Sequence, residues 1–346
     1  MSRPCPLTAA RLADAAGGRV IAGDPDRVLA RLSIDSRTLA AGEAFVAIRG
    51  PRFDGHDFLR EAVARGASAL VVDRAAAVDG WLPAGLTVVL VGDTVRALQD
   101  AARQVRHHTR ARVVAITGSA GKTTTKELAA AVVATRFRTL RNEGNLNNHI
   151  GLPLSLLGLQ DGYEVAVVEF GMNHAGELRQ LVAVATPDVR VWTNVGTAHI
   201  EFFGSQDAIA EAKAEILEGA TRDTVFVANA DDPRVLARVR GFPGPTITFA
   251  LAGGADVHTV SVQQHGVTGT GAHVRTPHGE MSLALALPGR ANLANALAAI
   301  AVGLALGVPI EAVGPALREA KPPASRGELR HGPRHVRVYD DCYNAS

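Results

Sequence analysis

The sequence contains few of the residues that mark several common classes of protein. Its 346 residues include only two cysteines, Cys5 and Cys342, and 4% aromatic residues. Two cysteines at opposite ends of a chain form neither a disulfide framework nor a zinc site, which is typical of a reducing compartment, so we expect a cytoplasmic protein. The few aromatic rings also offer little surface on which nucleic-acid bases could stack.

A strong net charge and a long hydrophobic run are absent as well. The 36 lysines and arginines nearly balance the 34 aspartates and glutamates, so the basic surface typical of nucleic-acid-binding proteins is missing. The N-terminal stretch lacks the apolar core of a signal peptide, and the longest apolar run, residues 296–308, is too short to span a bilayer. We therefore expect no nucleic-acid partner and no membrane insertion.

The chain nevertheless has enough apolar residues for a large core. Hydrophobic residues make up 47% of it and charged residues 20%, which argues against general disorder. At this length two or three domains are expected. We expect the protein to be a monomer.

The most informative stretch is residues 112–126, which read RVVAITGSAGKTTTK. The apolar run 113–116 predicts a buried strand, and a helical pattern resumes at about Thr125. A glycine-containing loop between a strand and a helix is the layout of a phosphate-binding loop, because the N–H groups at the helix start attract anions.

The residues of this loop suit a nucleotide with its magnesium ion. Gly118 and Gly121 would let the backbone N–H groups turn inward, Lys122 would reach the β- and γ-phosphates, and the Thr123 hydroxyl could ligate Mg²⁺. Two residues separate the first glycine from the Gly-Lys pair, where the common Walker form has four, so a helix-capping turn is the alternative interpretation. The predicted nucleotide-binding residues of the loop are Gly118, Ser119, Ala120, Gly121, Lys122, Thr123 and Thr124.

Three later apolar strands are each followed by a polar cluster. They are residues 164–168 before Glu169, residues 189–193 before Asn194 and His199, and residues 224–228 before Asn229. Open parallel sheets bind ligands outside the carboxyl ends of their strands, so we expect these clusters and the phosphate loop to face one nucleotide site. The near-continuous apolar strands favour a mostly parallel sheet that is covered on both faces.

Two of these polar residues could bind a metal ion. A carboxylate at the end of a buried strand, such as Glu169, can hold Mg²⁺ against the phosphates, although a capping or salt-bridging glutamate is the alternative. A histidine placed like His199 more often has a structural role. The interpretation of His199 as a metal ligand depends on its lying at the same edge of the sheet as Glu169.

Lys213 is unusual because its expected neighbours on the predicted helix are apolar. Residues 207–218 predict a helix on which Lys213 shares a face with apolar residues, and no carboxylate lies one helical turn away. Burying an unpaired lysine is costly. Either the side chain reaches out to solvent, or its amine is neutral and is modified or linked to a metal ion.

Other candidate site residues are ambiguous. Asn292 and Asn295 share one face of an apolar helix, where they could contact adenine or phosphate or could cap the helix. Ser36, Arg37 and Thr38 follow a strand-like segment and could bind a nucleotide phosphate or form a surface turn.

From residue 246 onward the pattern of apolar and polar residues changes. Residues 246–287 alternate between apolar and polar and contain glycine-rich turns, which predicts an antiparallel β patch. Helices are predicted over residues 291–306 and 310–320, a hinge at Pro322-Pro323, and a further strand over residues 335–339.

Several motifs together resemble the Mur ligases, over essentially the whole chain. They are TGSAGKTTTKE, GNLNNHIGLP, VVEFGMN, TNVGTAHIE, EAKAEI, NADDP and DDCYNAS, with IDSRT and FDGHDF resembling the domain that binds the uridine nucleotide. Within the family, the TTTKE continuation, DDCYNA and the Asn147-Asn148 pair favour the ligase that adds D-alanyl-D-alanine over the ligase of the preceding step.

The resemblance implies a three-domain α/β enzyme. It implies a small N-terminal α/β domain for the UDP-substrate (1–98), a central P-loop domain for ATP with a mostly parallel sheet and an antiparallel patch (99–322), and the start of a Rossmann-like C-terminal domain (323–346). ATP would phosphorylate the terminal carboxylate of UDP-N-acetylmuramoyl-tripeptide, and the amine of D-alanyl-D-alanine would attack the acyl phosphate. The implied cofactors are ATP and Mg²⁺.

The resemblance also implies residue roles. Thr123 with Glu169 would hold one Mg²⁺, and Glu169 with His199 the second, while Lys213 matches a lysine that the family carries as a carbamate. Lys122, Lys213 and His199 would be catalytic. The implied nucleotide contacts beyond the loop are Asn292, Asn295, Arg326 and Asp341, and the implied substrate contacts are Ser36, Arg37, Thr38, Asn147 and Asn148.

Two departures from the family pattern leave alternatives open. Ala291 stands where the family often has histidine, which predicts a modest change in adenine binding. The family's third domain would run roughly a hundred residues beyond Asp341, so an inactive fragment that binds ATP and the UDP-substrate is one alternative. The ligase of the preceding step is another, and a P-loop kinase or GTPase, which would leave Lys213 unexplained, is a weaker one.

Overall fold

The computed structural model describes residues 6–198, 200–321, 325–331 and 336–343. They fall into two compact units. The first comprises the residues up to Ala111 together with Glu143–Tyr163 and Ala183–Thr186, and the second comprises Arg112–Asn142, Glu164–Val182 and the residues from Pro187 onward. The three domains expected from the sequence stay a prediction.

The strands are β1 (Arg19–Ala22), β2 (Leu32–Ser33), β3 (Ala44–Val46), β4 (Ala69–Val72), β5 (Thr87–Leu90), β6 (Arg112–Thr117), β7 (Thr139–Arg141), β8 (Val165–Glu169), β9 (Val189–Trp192), β10 (Val225–Asn229), β11 (Thr246–Ala250), β12 (Val257–Gln264), β13 (Thr270–Thr276), β14 (Gly279–Leu285), β15 (Glu328–His331) and β16 (Arg337–Asp340). The helices are α1 (Ala9–Ala15), α2 (Leu59–Ala64), α3 (Thr94–Thr109), α4 (Lys122–Ala134), α5 (Gly151–Leu157), α6 (Glu177–Ala185), α7 (Ile200–Phe203), α8 (Gln206–Ala214), α9 (Pro233–Leu236), α10 (Arg290–Ala305) and α11 (Ile310–Glu319).

The first unit is built on a five-stranded sheet in the order β1-β5-β4-β3-β2. All neighbouring strands are parallel except β1, which pairs antiparallel with β5. The apolar residues of β3, β4 and β5 form the core of this unit around Phe45, Leu70 and Val88. The residues of the edge strand β1 are at most partly buried.

The second unit contains a nine-stranded sheet in the order β14-β13-β12-β11-β10-β9-β6-β8-β7. The strands from β7 to β12 are parallel to one another, so the prediction of a mostly parallel sheet is confirmed. The carboxyl ends of β6, β8, β9 and β10 therefore lie along one edge, where the predicted polar clusters follow them. Among the described residues, none of the helices has the length and apolar composition of a membrane-spanning segment.

The predicted antiparallel patch is smaller than expected. Antiparallel pairing joins only β12 to β13 and β13 to β14. The expectation for β11 was wrong, because this strand pairs parallel with β10 and with β12. Its alternating sequence resembles that of an antiparallel strand, but it extends the parallel sheet beneath α10.

The alanine-rich helix α10 packs against α4, the helix that follows the phosphate loop. Small side chains allow a close approach: a Cβ added at Gly303 would lie 2.7 Å from Val132 Cγ1. Both helices thus lie on one face of the second sheet, with Leu297 fully buried between them and the core.

The last described residues form a hairpin in which β15 pairs antiparallel with β16. The strand expected over 335–339 is observed from Arg337 onward, His335 lies outside the described residues, and β15 was not anticipated. The predicted hinge at Pro322-Pro323 also lies outside them.

Truncation of the α10 core should destabilise the second unit. We expect Leu297→Ala to lower its free energy of unfolding by about 2–5 kcal/mol, because the change removes buried methyl groups and leaves a cavity. The matched control is Leu236→Ala, at a residue that is 42% exposed and should change the value by less than about 0.5 kcal/mol. Urea unfolding followed by circular dichroism measures both, and equal losses would contradict this account of the core.

Candidate active site

The loop between β6 and α4 has a backbone shape that requires glycine. Gly121 has φ +81° and caps the start of α4, which begins at Lys122, three residues before the predicted start. A Cβ at Gly118 would overlap Thr193 Oγ1, and a Cβ at Gly121 would overlap Asn295 Oδ1. Glycine at both positions lets the loop lie against these side chains and leaves the N–H groups at the helix start available to an anion.

The carboxyl end of β9 holds the loop in this shape. Ala120 N–H donates to Asn194 Oδ1 over 2.9 Å, Asn194 Nδ2 donates back to the Ala120 carbonyl over 3.1 Å, and Thr193 Oγ1 donates to the same carbonyl over 2.7 Å. Asn229, at the end of β10, donates to the Thr193 carbonyl over 2.7 Å. The Ser119 hydroxyl is buried and has no hydrogen-bond partner among the described residues.

Lys122 lies over its own loop. Its Nζ donates to the Gly118 carbonyl over 3.0 Å. Burial lowers the pKa of this amine, and the carboxylate of Glu169 opposes the shift. A desolvated cation at the start of a helix is suited to binding phosphate oxygens.

Glu169 lies beside the loop at the end of β8, as predicted. Its carboxylate accepts a hydrogen bond of 2.6 Å from the Thr123 hydroxyl, and its N–H donates to Asn142 Oδ1 over 3.0 Å. A buried carboxylate oxygen next to a hydroxyl oxygen is the kind of hard donor set that Mg²⁺ prefers, so these residues fit the ion. The described residues contain no cluster of three or more His, Cys, Asp or Glu side chains that could hold a metal ion; His199 lies outside them, and its role stays a prediction.

Lys213 lies on α8 and is only 2% exposed, so it does not reach out to solvent. No described residue forms a hydrogen bond or ion pair with it. Burial, together with the smaller effect of the positive charge of Lys122, lowers the pKa of its amine to about 7. The amine is therefore partly neutral near neutral pH, and its interaction with Lys122 places it close to the phosphate loop.

A cavity of about 320 Å³ adjoins the loop. Its lining includes Ala120, Gly121, Thr124, Asn194, Ala291, Asn292, Asn295, Arg326, Tyr339, Asp341 and Tyr343. Tyr339 and Tyr343 were not predicted as site residues from the sequence. The guanidinium of Arg326 lies 4.3 Å from the centre of the Tyr343 ring. The predicted residues Asn292, Asn295, Arg326 and Asp341 thus meet around one space that is large enough for a base.

The two asparagines of this cavity do not act as N-caps, because Gly289 occupies that position of α10. Asn295 Oδ1 accepts a 3.2 Å hydrogen bond from the Thr125 hydroxyl and so connects α10 to α4. Asn292 Nδ2 donates to the Pro288 carbonyl over 2.9 Å.

The candidate uridine-site residues lie in the first unit. Ser36 is buried and donates to Glu61 over 3.1 Å, whereas Thr38 is exposed. The exposed Arg37 forms two hydrogen bonds with Asp35, of 2.9 and 2.7 Å, and lowers the pKa of that carboxyl to about 2. One charged side chain therefore faces solvent here, while Ser36 has a local structural partner.

Asn147 and Asn148 also belong to the first unit. Asn148 Oδ1 accepts hydrogen bonds from the N–H groups of Ile150 and Gly151, over 3.1 and 2.8 Å, at the start of α5. This side chain shapes the turn, and its predicted contact with substrate stays a prediction.

Comparison with known proteins gives consistent matches. The Mur ligase middle domain matches residues 116–303, and the Mur ligase family catalytic domain matches residues 29–135. The UDP-N-acetylmuramoyl-tripeptide–D-alanyl-D-alanine ligase of Escherichia coli is 36% identical over 348 residues, which cover 98% of this chain and 74% of that protein.

Solved structures agree. A crystal structure of MurF from Acinetobacter baumannii has a TM-score of 0.88 at 32% identity and covers 99% of this chain and 74% of that one. The structure of MurF ligase from Thermotoga maritima in complex with ADP has a TM-score of 0.80 at 32% identity, over 91% of this chain and 71% of that one.

Alanine at Gly121 should disturb the loop more than backbone strain alone explains. Gly121 and Gly241 have φ values of +81° and +89°, but a Cβ at Gly241 would meet nothing within 4 Å. We expect Gly241→Ala to cost about 1 kcal/mol in unfolding free energy from strain, and Gly121→Ala to cost about 1–3 kcal/mol more from its overlap with Asn295. Urea denaturation measures both, and equal costs would mean that the loop can move away from Asn295.

Proposed function

This chain belongs to the Mur ligase family, and we infer that it is the ATP-dependent ligase that joins D-alanyl-D-alanine to UDP-N-acetylmuramoyl-tripeptide in peptidoglycan synthesis. The observation that carries the inference is a phosphate loop with the Thr123–Glu169 pair beside it. The buried amine of Lys213, whose pKa the charge of Lys122 helps to lower, supports it. The named relatives at 31–38% identity point to the same reaction. They favour it over the ligase of the preceding step, whose solved relative is only 20% identical and shows the fold alone.

The geometry suits the formation of an acyl phosphate. An oxygen of the tripeptide's terminal carboxylate attacks the γ-phosphorus of ATP, a P–O bond forms, and ADP leaves with the electron pair of the broken bond. Such a transfer needs alignment and neutralisation of charge more than a protein nucleophile. Lys122 and the N–H groups of the loop bind the phosphate oxygens. Thr123 and Glu169 would hold Mg²⁺, which would supply further positive charge to those oxygens.

Amide formation completes the reaction. The amine of D-alanyl-D-alanine attacks the carbonyl carbon of the acyl phosphate, a tetrahedral species forms, and inorganic phosphate leaves while the nitrogen gives up a proton. Positive groups that bind the departing phosphate stabilise this step, which is a second role for Lys122.

Lys213 is proposed to act as a carbamate. Its neutral amine attacks CO₂, a C–N bond forms, and a proton is released, which converts a buried cation into an oxygen-bearing anion. This change would remove the repulsion between Lys213 and Lys122 and give the site a further oxygen donor for Mg²⁺. The partly neutral state of the amine near pH 7 supports the proposal.

The cavity beside the loop is the proposed adenine site. Asn292 and Asn295 offer amide groups at its wall, Tyr343 offers a ring face, and Ala291 leaves room where the family often has histidine. ADP is bound in the Thermotoga maritima relative.

In the first unit, the proposed contacts of the UDP-substrate are Ser36, Arg37 and Thr38, with Asn147 and Asn148. The proposed location is the cytoplasm, where ATP and nucleotide-linked precursors are available, and the proposed state is a monomer.

The activity is tested by its dependence on both substrates. Purified protein containing this sequence should release phosphate from ATP and form the pentapeptide product only when UDP-N-acetylmuramoyl-tripeptide and D-alanyl-D-alanine are both present. Formation of the product is measured by liquid chromatography. Lys122→Met should lower kcat at least about 100-fold, as loss of a group that stabilises developing charge does. The matched control Lys321→Met, at an exposed lysine, should leave kcat unchanged. Turnover with a single amino acid in place of the dipeptide would reassign the substrate.

Lys213 should give a distinctive pH dependence. CO₂ adds only to the neutral amine, so at a fixed concentration of dissolved CO₂ the carbamate should increase as the pH rises through about 7. Lys213→Ala should lower the ligase activity at least about 100-fold, and added formate or acetate should restore part of the activity. Lys321→Ala is the control.

Stability offers an independent readout of the same group. Its pKa falls from 10.5 to about 7 on folding, so between these values the unfolded chain binds more protons, and without CO₂ the wild type should gain stability as the pH rises from 7 to 10. Lys213→Met should lose that part of the slope, measured by urea unfolding across the pH range. An unchanged slope would show that the amine is protonated in the folded protein at neutral pH.

A further inference from the structure

Arg190 is a buried charge that the proposed reaction does not use. It lies in β9, in the middle of the second sheet, and is only 3% exposed. Burial lowers the pKa of its guanidinium to about 10, and Asp188 opposes the shift, so the group is still charged at neutral pH. Its Nε is buried with no hydrogen-bond partner in the described part of the chain. A cation buried at such a cost calls for a structural or functional reason.

The partners of Arg190 lie at the end of the helix that carries Lys213. Its Nη1 donates to the carbonyl of Ile216 over 2.6 Å and to the carbonyl of Glu218 over 2.5 Å. These carbonyls belong to the 3₁₀ turn Glu215–Leu217 that continues α8, and to the residue after it. Carbonyls at a helix end lack intrahelical partners and carry partial negative charge, so a buried guanidinium caps this end favourably.

Glu215 fixes the same turn from the other side. It is buried, and its carboxylate accepts hydrogen bonds from the N–H groups of Gly176 over 2.6 Å and Arg179 over 3.2 Å, at the start of α6. Glu218 adds two hydrogen bonds from the Arg179 side chain, over 2.6 and 2.8 Å. The five residues that follow Lys213 are thus attached to β9 and to α6.

Lys213 itself has no polar contact with any described residue that could fix its amine. The place of that amine therefore depends on the backbone of α8 and of the turn, which Arg190 and Glu215 attach to their surroundings. We propose that Arg190 and Glu215 are positioning residues that hold Lys213 where its amine can take up CO₂ and face the phosphate loop. The inference rests on the proposed function, in which Lys213 becomes a carbamate.

The other ion pairs of α8 differ in a way that provides a control. Arg234 pairs with Asp207 over 2.6 Å on the outer face of the helix, with side chains that are 36% and 82% exposed. Exposed pairs contribute little because water and salt screen them. Arg234→Met thus removes an arginine contact to the same helix without releasing the turn after Lys213.

The experiment measures the carbamate directly. The protein is titrated with ¹³C-labelled bicarbonate at fixed pH, and the carbamate resonance is followed by ¹³C NMR, with Lys213→Ala to assign it. We expect Arg190→Met and Glu215→Leu to raise the bicarbonate concentration at half occupancy at least about fivefold. Arg190→Gln and Glu215→Gln, which each retain one hydrogen-bonding group, should give smaller shifts, and Arg234→Met should give none.

The outcomes separate the inference from its premise. If Arg190→Met or Glu215→Leu fails to fold, as judged by circular dichroism, the two glutamine variants provide the comparison. A lower melting temperature with an unchanged half-occupancy concentration would overturn the positioning role, because only stability would then depend on these residues. Absence of the resonance in the wild type would instead overturn the carbamate and, with it, the inference.

Discussion

The contact of the phosphate loop with two side chains is the constraint on which the site depends. Thr193 and Asn295 lie so close to Gly118 and Gly121 that a Cβ at either position would overlap them. Thr193 is at the end of β9 and Asn295 is on α10, so the loop is held between the sheet and a helix that arrives much later in the chain. The N–H groups at the start of α4 are therefore fixed before any ligand binds, and electrostatic stabilisation depends on such fixed dipoles.

Among its described residues, the second unit contains three buried cations, Lys126, Arg190 and Lys213, and the half-buried Lys122, and each is accommodated differently. Lys122 lies over a carbonyl of its own loop. Lys126 donates to the Asn142 carbonyl over 2.5 Å, and the side chain of Asn142 accepts a hydrogen bond from the N–H group of Glu169. Arg190 caps a helix end, and Lys213 is without a polar partner among the described residues. Lys213 is therefore the one of these four whose pKa is lowered with no described partner to oppose the shift.

The sequence predicted the parts of the site that local patterns encode. The phosphate loop, the four parallel strands and the apolar face that carries Lys213 follow from short-range spacing, and the structure places Glu169 beside Thr123 as expected. The sequence could not indicate the roles of Arg190 and Glu215. Their partners are backbone groups more than twenty residues away, which become neighbours only in the folded chain. The direction of β11 was missed for a related reason: alternation reports which face of a strand is buried, and not which neighbour it pairs with.

The cavity that Gly121 lines also bears on how the site could be blocked. A compound that fills it would touch the bare Cα of that glycine, together with Asn295 and the Tyr343 ring, and none of these contacts requires a negative charge. Its volume of about 320 Å³ is in the range that small drug-like molecules occupy. A molecule that fills this cavity would therefore contact the phosphate loop from the side, at Ala120 and Gly121.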